Sequence, residues 1–145
     1  HVLHAVQGFV KSIVLAKKTA LQDILRLLTL WFRYADEPEV EPALRDGFNT
    51  TPLSAWLQVV PQILARLRSN SGRLREMIRE LLSRVAEAFP QAVVFPLTVA
   101  AKSTVETIAS ITRSVLEDMR GFGSEELVRQ SEMVSDELIR ISILW

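Results

Sequence analysis

The 145-residue chain contains no cysteine, which removes a disulfide framework, a zinc ribbon and a thiol nucleophile together. Lys plus Arg and Asp plus Glu both total 17, so no net field draws the chain to nucleic acid or an anionic membrane. A charged partner must therefore be met by a local patch. No apolar run approaches the roughly 18–20 residues that span a bilayer. Yet 48% of the residues are apolar and mean hydropathy is +0.18, which predicts a soluble protein with more apolar surface than a free-standing domain of this size needs. Histidine is scarce too: His1 and His4 stand near one end without the further ligands at fixed spacing that a metal requires. His1–Leu15 has neither a charged start nor a small-residue cleavage site, so no secretory leader is expected there. The chain also lacks a nucleophile, base and orienter set, a phosphate-cradling glycine loop, and the HRD and DFG signatures of a kinase. No catalytic residue, metal or cofactor is expected in this chain.

What is present is helical periodicity. Val6 to Lys17 reads as a first amphipathic segment, and Thr19 with Gln22 makes a capping box opening Ala20 to Ala35. Leu21, Ile24, Leu25, Leu28, Trp31, Phe32 and Ala35 form its inner stripe, widened by Leu27, Leu30 and Tyr34. An acidic turn with Pro38 and Pro42 leads to a shorter helix near Glu41 to Phe48, ended by Gly47 and the Asn49-Thr50 pair. Thr51 before Pro52 predicts an N-cap launching a helix to about Arg68. Trp56, Leu57, Val60, Ile63, Leu64 and Leu67 keep one helical face straight through Pro61, so the pattern predicts a kinked helix rather than two. After a loop over Ser69 to Gly72, Arg73 to Phe89 shows the cleanest periodicity, with Leu74, Met77, Ile78, Leu81, Leu82, Val85, Ala88 and Phe89 on one face.

Pro90 starts a segment from Gln91 to Lys102 that Pro96 is expected to keep irregular. Its apolar residues would suit a strand, but no partner strand is evident and proline belongs at sheet edges. Ser103 with Glu106 predicts a second capping box for Thr104 to Met119, with Val105, Ile108, Ile111, Val115, Leu116 and Met119 inward, ended by Gly121 and Gly123. Ser124 is expected to cap a last helix through Leu127, Val134, Leu138, Ile141 and Trp145. No stop signal follows, so the chain is expected to be cut within an element. The fold class predicted is all-α: about seven or eight helices in antiparallel repeats of about 40 residues per pair, an α-solenoid of the HEAT type.

Few residues stand out as sites. Asp36, Glu37, Glu39 and Glu41 lack the spacing and central glycine of an EF-hand and read as a solvated turn. Arg66, Arg68, Arg73, Arg75 and Arg79 cluster around one loop and could receive a phosphate or acidic partner. Glu76 lies within reach of Arg79 and Glu80 of Arg84, so a salt-bridged outer face is the expectation. Trp31 and Trp56 fall on inner faces, whereas Trp145 has no visible partner face. The residues singled out for structure or interaction are Trp56, Pro61, Pro90, Pro96 and Trp145.

The segments LTLWFRYADEPEV, WLQVVPQILARL, FPQAVVFPLTVAAKS and VSDELIRISILW, in this order, resemble the C-terminal end of the FAT domain in target-of-rapamycin protein kinases. The resemblance runs from about Ala5 to Trp145. Its tryptophan-leucine-glutamine and proline-glutamine core is shared more loosely by other phosphatidylinositol-3-kinase-related kinases, while LTLWF and DELIRISILW sharpen it to this branch. It implies that residues 1–135 are C-terminal FAT repeats and that 136–145 begin the first helix of the rapamycin-binding domain. It further implies a non-catalytic scaffold that clamps the kinase domain of the same polypeptide, in growth and nutrient signalling. The parent would be a serine/threonine kinase using ATP and Mg, cytoplasmic or at lysosomal, vacuolar or other endomembranes. Implied partners are the rest of the FAT domain, the kinase domain, and adaptor and propeller subunits, with neither nucleic acid nor membrane insertion. The competing expectation is a free-standing helical-repeat adaptor binding peptides in a groove.

Overall fold

A computed structural model describes residues 1–15, 21–68 and 71–144. Among the described residues there are nine α-helices and no strand: α1 Val2–Leu15, α2 Leu21–Tyr34, α3 Glu41–Thr50, α4 Leu53–Leu57, α5 Val60–Ala65, α6 Gly72–Ala88, α7 Pro90–Ala100, α8 Glu106–Met119 and α9 Glu125–Ile143. Counting α4 and α5 as the single element that the periodicity predicted gives eight. The helices pack on near neighbours along the chain: α1 on α2 and α3, α4 on α2 and α6, α6 on α7 and α8, and α7 on α8 and α9. That local pattern is the quasi-one-dimensional packing of a helical-repeat stack. One continuous apolar cluster, from Val6 to Val128, runs through it.

The helices α2, α3 and α4 meet around aromatic side chains. α2 buries Ile24, Leu27, Leu28 and Trp31, whereas Leu21, expected inside, is exposed. The Trp31 ring lies 3.9 Å from that of Phe48, and Phe48 meets Trp56 edge-on at 5.0 Å. Such pairs add about 0.5–1.5 kcal/mol beyond the area they bury. Gly47 does not end α3, which continues to Thr50. It is buried, and a Cβ there would fall 2.6 Å from Val10 Cγ2, so its missing side chain sets how closely α3 and α1 approach.

Two prolines act differently. The helix read as one kinked element is interrupted at Gln58 and Val59, where backbone N–H groups reach back three residues, from Gln58 to Ala55 at 3.3 Å and from Val59 to Trp56 at 3.0 Å. A straight helix would drive the Pro61 ring into the Leu57 carbonyl and leave that carbonyl without a donor, so the break falls just before the proline. The buried face nevertheless continues across it through Trp56, Val59, Val60, Ile63 and Leu64. α7, expected to be irregular, is a helix that carries Pro96 in its interior. The carbonyl that loses its donor there belongs to Ala92, an exposed residue, and water can serve it.

The capping expectations fare unevenly. Thr51 is not the N-cap of α4 but the C-cap of α3, its N–H donating to Gly47 O at 2.9 Å. Pro52 holds the N-cap position, and the Thr51 hydroxyl is buried without a hydrogen-bond partner among the described residues. Ser71, expected in a loop, is the N-cap of α6 and accepts from Leu74 N at 3.2 Å. The Ser103–Glu106 box does not form, because α8 starts after Val105 and the Ser103 hydroxyl accepts from Val105 N instead. Ser124 occupies the N-cap of α9 without a side-chain bond. Thr19 lies outside the described residues. Gly121 and Gly123 do end α8, in a wide turn over Arg120–Ser124 where Gly123 has φ +89°. On α6 the expected face is buried except for Ala88, which is exposed, and Phe89, which is half-buried at the C-cap.

Candidate functional site

Trp56 is fully buried in the aromatic cluster, so it serves packing. Pro61 is exposed in the first turn of α5, Pro90 opens α7 as its first residue, and Pro96 is half-buried in mid-helix. Trp145 lies outside the described residues. Among the described residues, Trp56 thus lies on α4, Pro61 on α5, and Pro90 and Pro96 on α7.

The charged clusters are drawn into contacts between helices. Asp36 accepts from Ser71 Oγ at 2.6 Å, and Glu41 pairs with both Arg45 at 3.0 Å and Arg73 at 3.1 Å. Arg66 donates to Thr29 Oγ1 at 3.1 Å. These partners disperse the acidic turn and the arginine cluster, and among the described residues no group of three metal-ligating side chains converges.

Arg79 does meet Glu76, as expected, at 3.1 Å, and also reaches Asp118 on α8 at 3.0 Å. The hydrogen bond to Glu76 leads in raising the Arg79 pKa above its ordinary value. Ser83 donates to the same Asp118 carboxylate, which thereby ties α6 to α8. Arg84 reaches across to Asn49 on α3 at 3.2 Å rather than to Glu80.

The surface that sequence reasoning missed lies between α7 and α9. The predicted inner line of α9 was Leu127, Val134, Leu138 and Ile141; the residues it buries are Val128, Ser131 and Ser135. Val134, Leu138 and Ile141 are exposed, together with Met133, Ile139, Ile143 and Leu144. Phe95 and Val99 of α7 join Leu138 and Ile139 around a groove of ≈ 200 Å³ with Lys102, Ser135 and Ser142 at its edge. The sequence did hold a signal: α7 is apolar on nearly all sides, more than one neighbour can cover. A contiguous exposed apolar surface of this kind marks a site of association.

Beside it, Arg120 bridges the turn to α9, with Glu132 at 2.7 Å and Glu117 at 3.0 Å. Burial pulls the Arg120 pKa down, and the hydrogen bonds to Glu117 and Glu132 outweigh that and leave it raised. No helix among the described residues is long and apolar enough to cross a membrane.

Residues 39–139 match the family described as serine/threonine-protein kinase ATR-like, HEAT repeats. The whole chain is 42% identical over 145 residues to serine/threonine-protein kinase tor1 of Schizosaccharomyces pombe, and 97% of it is 45% identical to serine/threonine-protein kinase mTor of Drosophila melanogaster. The chain spans 6% of the length of each of these relatives. Serine/threonine-protein kinase Smg1 of Drosophila melanogaster is 29% identical over 83% of the chain and 4% of its own length. The target-of-rapamycin relatives match at 34–45% over nearly the whole chain, against 29% over 83% of it for Smg1.

Proposed function

As the chain belongs to the ATR-like HEAT repeats of serine/threonine-protein kinases, on the target-of-rapamycin branch, we propose that it is a non-catalytic scaffold for such a kinase. It holds and positions the kinase domain of the same polypeptide, in growth and nutrient signalling. Transfer of phosphate from ATP with Mg belongs to that domain, and no residue of this chain is assigned a part in it. The parent works in the cytoplasm or at endomembranes, with adaptor and propeller subunits. Residues 1–135 are assigned to the FAT repeats and 136–145 to the start of the rapamycin-binding domain; α9 runs unbroken from Glu125 to Ile143, so the two share a helix.

The observation that carries the reading is the exposed apolar surface of α7 and α9, on a stack that aligns along its whole length with kinases many times longer. A repeat stack conveys position by offering the next element a shaped face. The test is radical footprinting of the full-length protein against this 145-residue chain alone. Phe95, Val99, Leu138 and Ile139 become protected in the full-length protein, and cross-links join Lys102 to the kinase domain. Equal labelling in both proteins, with no cross-link to the kinase domain, overturns the clamp.

A further inference from the structure

We propose that α9 is a lever, docked on α7 by a polar latch and able to swing as an intact helix about the Arg120–Ser124 turn. This is a property of the chain's own helices and stands apart from the reading above.

The contrast with α6 carries the argument. In 17 residues α6 buries seven apolar side chains, Leu74, Met77, Ile78, Leu81, Leu82, Val85 and Ala86. In 19 residues α9 buries only Val128, Ser131 and Ser135. Beyond Val128 in the core and Leu127 packed against it, α9 is held by a row of polar contacts from α7 and from Lys102 just past its end. These are Thr98 Oγ1 with Ser131 Oγ at 3.1 Å, Lys102 Nζ donating to Ser135 Oγ at 3.0 Å, and Lys102 Nζ donating to the Asp136 carboxylate. Arg120 adds its bond to Glu132 from the turn. Water replaces such partners at modest net cost, which it cannot do for a buried leucine.

The released state leaves no stranded hydroxyl on α7, because Thr98 also donates to Val94 O within its own helix at 2.7 Å. The pivot is loose as well. Nothing in Arg120–Ser124 is buried, and side chains built at Gly121 or Gly123 would meet no atom within 4 Å. Gly123, at φ +89°, occupies backbone space closed to most residues, and Phe122 beside it is exposed.

The chain has no native cysteine, so a Glu87→Cys, Ile143→Cys pair takes spin labels on α6 and the far end of α9 without background. Pulsed electron paramagnetic resonance is expected to give a docked distance and a longer one. Combining Lys102→Met with Glu132→Gln should raise the longer-to-shorter ratio about tenfold or more, and high salt should act the same way on the parent pair. Circular dichroism is expected to show unchanged helicity, the mark of a swing. A single distance that neither the latch variants nor salt alter overturns the lever. So does a longer distance that appears only with loss of helicity, which would mean that α9 melts.

Discussion

Gly47→Ala tests how the first repeat is assembled, because two opposing effects of known size meet at one atom. In an open helix the change is favourable by up to about 1 kcal/mol, since glycine has the larger entropy to lose. Here the new Cβ would stand 2.6 Å from Val10 Cγ2 and 3.8 Å from Leu27 Cδ2. Carbon atoms rest at about 3.5–4.0 Å, so α3 and α1 must part by roughly an ångström or Val10 must turn. Valine is stiff at χ1, and forcing a methyl group into a filled core costs about 1–3 kcal/mol. The clash prevails, with an expected net loss of about 1–2 kcal/mol, seen as a Tm about 3–7 °C lower.

Gly8→Ala supplies the control, because Gly8 lies within α1 and its Cβ would meet nothing within 4 Å. That variant should gain about 0.5–1 kcal/mol. Urea unfolding followed by circular dichroism measures both. A double-mutant cycle with Val10→Ala should return a coupling of about 1 kcal/mol or more, as removing the valine methyls makes room for the alanine. If Gly47→Ala stabilises the chain as Gly8→Ala does, or the cycle shows no coupling, the close approach of α1 and α3 is wrong.

Pro61→Ala restores a donor for the Leu57 carbonyl, so α4 and α5 should join across Gln58 and Val59, with more helical circular dichroism and altered kinase-domain contacts in the full-length protein. Backbone chemical shifts that still break at those two residues would refute the joining, and unchanged contacts would count against the clamp. Glu126 accepts from Arg129 Nε at 2.9 Å, and this bond leads in holding its pKa below the ordinary 4.5. A folded pKa below the unfolded one stabilises above about 4.5 and loses that contribution as pH falls through the lowered value. Carboxyl-carbon NMR titration should therefore find Glu126 low in the parent chain and nearer the ordinary value in Arg129→Ala; identical midpoints would remove the assignment.

The fold class, the α6 face and the α8 face were legible because long amphipathic helices write a strong 3.6-residue period, and Leu74, Ile78, Leu82 and Ile108, Ile111, Val115 follow it. α9 was misread for a reason that the same rule contains. Its sequence offers two faces, one through Val134, Leu138 and Ile141 and one through Val128, Ser131 and Ser135, and periodicity ranks them by hydropathy alone. α7 selected the face with small hydroxyl side chains, where Thr98 and Lys102 find partners. Gly47 was misread as a stop because glycine signals both a helix end and a close approach. Only the position of Val10, 37 residues earlier in the chain, tells them apart.

The prolines show the same dependence on surroundings. Pro61 and Pro96 both lie in apolar helical patterns, and each deprives the carbonyl four residues earlier of a donor. Ala92 is exposed, so its carbonyl can turn to water and α7 continues around Pro96. Leu57 is half-buried beside the fully buried Trp56, where tilting the carbonyl outward would pull side chains from the core. The chain keeps the core and gives up the helix for two residues, at Gln58 and Val59. Curvature in this stack thus follows from the exposure of the carbonyl a proline strands rather than from the count of prolines, which puts the bend before Pro61 and leaves α7 a single helix.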